Sequence, residues 1–339
     1  MLVIAGPLSQ IWSLIQSIQL MNYFSLFTIK SPGNVNSLMR FIAELAKFNI
    51  LGIDFDQIVQ DTIYLPEQEP FTLNFVNAGY NSSFLLPNLG SMLILITIHA
   101  SFHLMHVGVY VISLFSKKAK GLNNRFSVYL YWNGTVKTYM EVFLDITLFS
   151  FLNVKELSWK HDIPGVKACN TLAILTVIFS FALPVTFIVL LVMYHKKGGS
   201  SSLTFRKKMR SLTDDKDNRR DKRCPIITIT FLYFASRLQL AIVLVYWQSF
   251  LWGQLAIQFI VTIAMLIVVQ WWKPFESPFL NKVETVNILV QLVMLYMMLC
   301  FSDFTDKPET RHMLGKVFVG IICGFVLIHV TIMMAGSCK

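Results

Sequence analysis

Apolar residues in this chain come in long runs without charge, not in short alternating strands or narrow helical stripes. No Lys, Arg, Asp or Glu occurs from Met1 to Ile29. Further runs of similar character recur to the C-terminus. About 20 residues, at ~1.5 Å rise each, cross the ~30 Å hydrocarbon layer of a bilayer. The pattern predicts an all-α, polytopic transmembrane helix bundle of about eight spans. The first covers about Leu8–Ile29 and stops at Pro32-Gly33. The second is about Leu89–Phe115, and the third lies within one long helix over Phe126–Val154 that has an amphipathic entry. The fourth, Ala168–Tyr194, holds Pro184, which removes a backbone hydrogen bond and is expected to kink it. Ile226–Trp247, Trp252–Trp272, Val283–Phe304 and Met313–Ala335 complete the set.

Between the first two spans, Leu38, Phe41, Ile42, Leu45 and Phe48 recur at helical spacing. Residues 31–88 are therefore expected to form a small outward cap with an amphipathic helix, its remainder an ordered loop around Pro66, Pro70 and Pro87. The organisation follows: 1–30 a first span, 31–88 the cap, 89–195 spans two to four, 196–225 a basic loop, 226–339 spans five to eight.

Composition sharpens this picture. Of 339 residues, 55% are hydrophobic and 14% charged, against roughly 25% charged in soluble domains. The 28 Phe and 15 Met suit lipid-facing surfaces. The five cysteines, Cys169, Cys224, Cys300, Cys323 and Cys338, show no disulfide or metal-ligand spacing. Cys224 and Cys338 are palmitoylation candidates if cytoplasmic. The start lacks the basic region of a cleaved signal peptide. The first span then acts as a signal-anchor, or a longer protein precedes it.

The net charge of +10 is concentrated. From Lys196 to Arg223 there are eleven Lys/Arg against four Asp, a local +7. Arg206, Lys207, Lys208, Arg210, Arg219 and Arg220 are expected to face anionic inner-leaflet lipid, at ~1 kcal/mol each. Phosphate on Ser211 or Thr213 would weaken that contact. Lys/Arg placement puts the N-terminus, 117–137, 196–225 and 273–282 inside, and 31–88, 155–167 and 303–312 outside. Asn81-Ser82-Ser83 is a glycosylation acceptor on the expected outer side; Asn133-Gly134-Thr135 is a second, on the inner side. Trp247, Trp252, Trp271 and Trp272 stand at span ends, as in an aromatic belt. The setting is an integral membrane protein of the plasma membrane or another secretory-pathway membrane.

Ionisable groups at membrane depth are costly and mark function. His99, His103 and His106 fall within about 60° on one face, a candidate metal or proton path or a set of interhelical hydrogen bonds. Glu141 and Asp145 lie one turn apart. Arg237, at the middle of span five, needs a partner, and these two carboxylates are the expected ones. Glu284, Asn287 and Gln291 form a polar stripe, a candidate pore or cavity lining. Walker, nucleophile-elbow and zincin motifs are absent, and the basic runs lack interleaved aromatics. Neither a soluble-enzyme activity, a cofactor nor nucleic acid is expected.

Several short motifs in order carry a resemblance: Leu8-Ser9-Gln10-Ile11-Trp12-Ser13-Leu14-Ile15 through Gln19-Leu20, Pro32-Gly33-Asn34, Asn77-Ala78-Gly79-Tyr80, Asn88-Leu89-Gly90-Ser91, Arg237, Lys273-Pro274-Phe275, Glu284 with Asn287, Phe301-Ser302-Asp303-Phe304 and Leu314-Gly315. Across essentially the whole chain these resemble the C-terminal membrane module of large ciliate surface proteins, often attached to cysteine-rich, furin-like repeats. That module is distantly similar to transient-receptor-potential-like and polycystin-like channels. The resemblance implies a channel-like or transport-related membrane protein of unassigned substrate, possible as a homo-oligomer. A non-conducting anchor of a surface or adhesion assembly is the alternative, and a membrane metal or redox enzyme built on the histidine stripe a third.

Overall fold

The computed structural model describes residues 17–46, 55–66, 71–127, 130, 134–159, 163–196, 223–302, 304, 305 and 307–337. These residues are overwhelmingly helical and include no β-strand. Residues 17–23 are helical and pass into a 3-10 turn at Phe24–Leu26. The first span thus ends a turn earlier than Ile29, and its first half lies outside the described residues. Four shorter helices follow: α1 (Gly33–Ala46), α2 (Phe55–Ile63), α3 (Leu73–Asn77) and α4 (Leu85–Asn88). The long helices are α5 (Gly90–Phe115), α7 (Thr135–Lys155), α8 (Pro164–Lys196), α9 (Arg223–Tyr246), α10 (Leu251–Trp272), α11 (Pro278–Phe301) and α12 (Pro308–Ser337), with the basic α6 (Lys117–Ser127) behind α5.

Six of them, α5 and α8 to α12, are long and apolar enough to cross a membrane. The chain is an all-α, multi-pass membrane protein. The expected count of eight is not reached, for two different reasons. The first span is only partly described. The third, expected within one long helix over Phe126–Val154, is α7, whose composition falls outside that of the six; between Ser127 and Thr135 the described residues Leu130 and Gly134 are π-helical. At 21 residues and ~1.5 Å each, α7 is ~31 Å long and matches the hydrocarbon thickness. Lys137, Glu141, Asp145 and Lys155 keep its composition from reading as a span.

Helix α7 packs against α8, α9, α4 and α5, and α9 packs in turn on α8 and α10. Nearly every residue of α7 from Glu141 to Asn153 is buried. Neighbouring protein, not lipid, covers the helix that carries the carboxylates. The remaining helices extend the bundle in sequence, α10 on α11 and α11 on α12. Short connections make them consecutive antiparallel neighbours.

The connection between α10 and α11 shows how the sequence builds such a turn. Lys273 caps α10 in the left-handed conformation, with φ 44°, and Pro274 cannot continue the helix. Ser277 Oγ accepts the Phe279 N–H at 3.3 Å and Pro278 opens α11. Asn281 closes the loop: its Oδ1 accepts Phe275 N–H at 3.2 Å and its Nδ2 donates to Phe275 O at 2.9 Å.

The cap residues share the bundle's core. Phe75, Ala78, Tyr80 and Leu85 belong to one apolar cluster with Phe149, Leu152, Leu244 and Met298. In α1 the inward face is Val35, Met39, Ile42 and Ala43, whereas Phe41 is exposed, so the amphipathic face is rotated from the expected one. Leu38 is half-buried, and Phe48 lies outside the described residues. Helix α1 rests on α12, where a Cβ on Gly315 would come within 2.3 Å of Asn34 Oδ1. A Cβ on Gly165 would lie 2.4 Å from Ile63 O, so glycine lets the α2 end approach α8. Helix α8 continues as a single helix through Pro184.

Candidate functional site: a buried charged cluster

The charged and polar groups of the bundle interior are carried chiefly by α7, α9, α11 and α12. The Cα–Cβ bonds of a helix tilt toward its N-terminus, so a long side chain reaches back along its own helix. Arg237 does so. Its Nη1 donates to Tyr233 O at 3.3 Å, and its guanidinium carbon lies 3.5 Å from the Tyr233 ring centroid. The ring faces the cation with its negative π-surface. Tyr233 in turn donates its hydroxyl to Met140 O at 2.9 Å, joining α9 to α7 one residue before Glu141.

Arg237, Glu141 and Asp145 are all buried. The Arg237 charge acts on Asp145 of α7 and on Glu284 of α11. Tyr233 feels Arg237, Glu141 and Glu284 together. Arg237 thus lies within electrostatic reach of both the candidate ion pair and part of the candidate cavity lining. Asp145 Oδ2 is buried without a hydrogen-bond partner.

From Glu284 the network continues to α12. Asn287 Nδ2 donates to Glu284 Oε2 at 3.2 Å, and Asn287 Oδ1 lies 2.7 Å from His329 Nε2. An amide oxygen only accepts, so this tautomer of His329 carries its proton on Nε2. Its Nδ1 is then an acceptor, and it is buried without a partner. Gln291, one turn on from Asn287, is also buried. His329 and Tyr233 were not among the residues singled out from the sequence. His329 carried the same signal as Arg237, a lone ionisable group in an apolar run. The role of Tyr233 depends on a ring stacked one turn before Arg237, a spacing common to many aromatic pairs.

The histidine stripe lies elsewhere. His99 Nε2 is 3.0 Å from Thr135 Oγ1, and His103 Nε2 is 3.1 Å from His99 Nε2. His106 is buried, with Phe126 stacked at 6.3 Å. The stripe therefore fastens α5 to the start of α7. Among the described residues no group of three or more His, Cys, Asp or Glu is placed to hold a metal ion.

The other candidates are placed as follows. Asn81 is exposed on the segment before α4. Asn133 and the loop residues Arg206, Lys207, Lys208, Arg210, Ser211, Thr213, Arg219 and Arg220 lie outside the described residues, as does Cys338. Cys224 and Cys323 are exposed and Cys169 is buried. Trp247, Trp252 and Trp271 are exposed at helix ends. No family model, curated protein or solved structure gives a significant match to this chain.

Proposed function

We propose that this membrane protein is channel-like or transport-related, with α9 to α12 holding the conducting or gating half. One observation carries the reading: Arg237 is buried inside the bundle, stacked on Tyr233, within electrostatic reach of Asp145 on α7 and Glu284 on α11. A bundle that only anchors has no need of such charges. Replacing a buried ion pair by well-packed apolar residues is often neutral or stabilising, and charged groups at membrane depth mark ion and substrate paths. The resemblance to the ciliate membrane module supports the same class. In this reading the N-terminus and 196–225 are cytoplasmic, and the basic side chains of that segment meet anionic lipid.

Reconstitution into liposomes with ion-flux recording tests it. The wild-type chain is expected to pass an ion, and Asn287→Leu to change the flux, because leucine removes both the Glu284 and His329 contacts. A second reading, a non-conducting anchor for a surface or adhesion assembly, is favoured by the internal bonding of Asn287 to Glu284 and His329. Absence of flux for every ion and stimulus tried would select the anchor.

A further inference from the structure

Helix α7 is a ruler for the helices beside it. At one end Asn153 Oδ1 accepts the N–H of Leu85, the first residue of α4, at 3.1 Å. At the other, Thr135 Oγ1 lies 3.0 Å from His99 Nε2 of α5. These contacts are ~27 Å apart along α7 at ~1.5 Å per residue, so residues 85–99 already run nearly the thickness of the hydrocarbon layer. Thr135 also stands close to an end of the bundle. The Tyr233 hydroxyl of α9 donates to Met140 O of α7, and the Phe187 ring of α8 packs 5.9 Å from that of Tyr139 on α7. From those pairings α8 and α9 outrun Thr135 by about a turn and a half. Helix α5 continues from His99 to Phe115, ~24 Å further.

Helix α6 turns back along this overhang. Ser116 joins the two helices: its N–H donates to Ile112 O at 3.2 Å, and its carbonyl accepts the Lys120 N–H at 3.1 Å. Phe126 then stacks on His106 at 6.3 Å, so α5 and α6 form an antiparallel hairpin. On α5 the buried His106 and the half-buried Val109 and Ser113 turn toward α6. Leu104, Val111 and Phe115 recur at seven and four residues on the opposite face, and all are exposed, Phe115 to 87%. On α6, Lys117, Lys118 and Lys120 are exposed. The hairpin thus pairs an apolar stripe with a cationic helix.

Neither bulk water nor the hydrocarbon centre suits this hairpin. Water would leave the stripe unburied. Hydrocarbon would surround the lysines and Asn124, all exposed on α6, at a depth that expels such groups. The boundary between acyl chains and headgroups suits both helices. A flat-lying amphipathic element sinks its apolar side there and keeps its lysines among the phosphates. A hinge is at hand between His99 and His103. Ser101 Oγ donates back to Thr97 O at 2.8 Å, a bond that eases helix bending.

We infer that residues 104–127 are an arm that folds down at Ser101 onto the leaflet at that end of the bundle and binds anionic phospholipid. Leu104, Val111 and Phe115 enter the acyl layer, and Lys117, Lys118 and Lys120 meet lipid phosphates. Clustered lysines select a negative surface, which is the inner leaflet in the orientation read from Lys/Arg placement. The arm serves a conducting protein and an anchor alike. It also explains how α5 is the least buried of the six helices although it is the least apolar.

Spin labels placed one at a time at Leu104 and Phe115 of the full chain, through an unnatural keto side chain that spares the native cysteines, test the arm in nanodiscs. Both positions are exposed, so the labels leave the fold intact. In nanodiscs containing phosphatidylserine, oxygen should reach both labels more than an aqueous nickel chelate does, at equal shallow depth. An upright α5 would instead separate the two by ~16 Å in depth, and that result overturns the arm, as does free nickel access at both. Dipolar coupling between labels of two copies would give the stripe to a second copy and overturn the lipid assignment. In phosphatidylcholine alone, or with Lys117→Gln, Lys118→Gln and Lys120→Gln together, the label at Phe115 should move toward water, with a several-fold rise in nickel access. A depth indifferent to both changes overturns the binding of anionic lipid.

Discussion

Helices α5 and α9 have nearly the same length, 26 and 24 residues, and opposite environments. In α9 half of the apolar window Cys224–Tyr246 is buried inside the protein; in α5 only 6% of the window within Ile96–Phe115 is. Helix α9 is enclosed by α7, α8 and α10, whereas α5 touches the bundle through α2, α4 and the start of α7, with α6 alongside. The other spans rank between them in an instructive order. From α8 through α12, α10 and α11 to α9, apolar character falls while the buried share rises, from 22% to 50%. In water the apolar helix goes inside; in lipid the most apolar helix faces out, because tails solvate it as well as protein does. Helix α5 departs from the order. It is the least apolar of the six and the least buried, and its histidines lie in its middle turns.

Arg237→Leu should have the largest effect on this contrast. It removes the one Lys or Arg buried among the described residues together with its contact to the Tyr233 ring, and removing a buried charge's partner costs about 3–5 kcal/mol. Thermal unfolding in detergent measures it, and a midpoint equal to wild type would mean that α9 is not the interior helix. Next, Leu240→Ala and Leu104→Ala make the same cut in the two helices. Leu240 is 0% exposed and Leu104 73%. The first should cost about 1–3 kcal/mol, below most soluble cores because no water-to-oil transfer is regained. The second should stay within about 0.5 kcal/mol. Equal losses in denaturant titrations would erase the distinction.

Smaller again is a pair of glycines. Gly165→Ala should cost about 1–2 kcal/mol, because the new methyl meets backbone at Ile63 that must move. Gly108→Ala on α5 has nothing within 4 Å of its Cβ and should be neutral or mildly stabilising through helix propensity. Protease accessibility of 55–66, compared between the two variants, reads the difference. The least effect is expected from His103→Leu, which removes one contact at the α5 attachment. Such bonds average about 0.6 kcal/mol in membrane bundles. A loss several times larger would show that the histidine stripe holds more than the contacts to His99 and Thr135.

The long helices were legible because their cause is local: length and absence of charge. Leu251–Trp272 and Gly90–Phe115 agree with the sequence expectation to within a residue or two. Helix α7 was harder, since covering its carboxylates depends on α8 and α9, which no window on the chain contains. The face of α1 was misassigned because Phe41 and Val35 compete for one stripe, and α12 decides between them from nearly three hundred residues away. At the site, Arg237 announced a need for acidic company, but its stacking on the Tyr233 ring comes from the side chain folding back along its own helix. That direction is a property of helix stereochemistry and neighbouring packing, not of residue order. His329 joined the network through an asparagine on another helix, a pairing that spacing alone does not encode.

The ionic content of α7 also governs how the protein is made. A helix bearing two carboxylates at its centre partitions poorly from the translocon into bilayer by itself, at about +2.5–3.5 kcal/mol for a central aspartate. The ribosome completes α7, at Lys155, some eighty residues before it adds Arg237 on α9. Until Arg237 emerges, α7 must wait at the insertion channel or beside α8, whose apolar length can hold its place. Biogenesis of this bundle is then a delayed, pairwise event in which a late helix admits an earlier one.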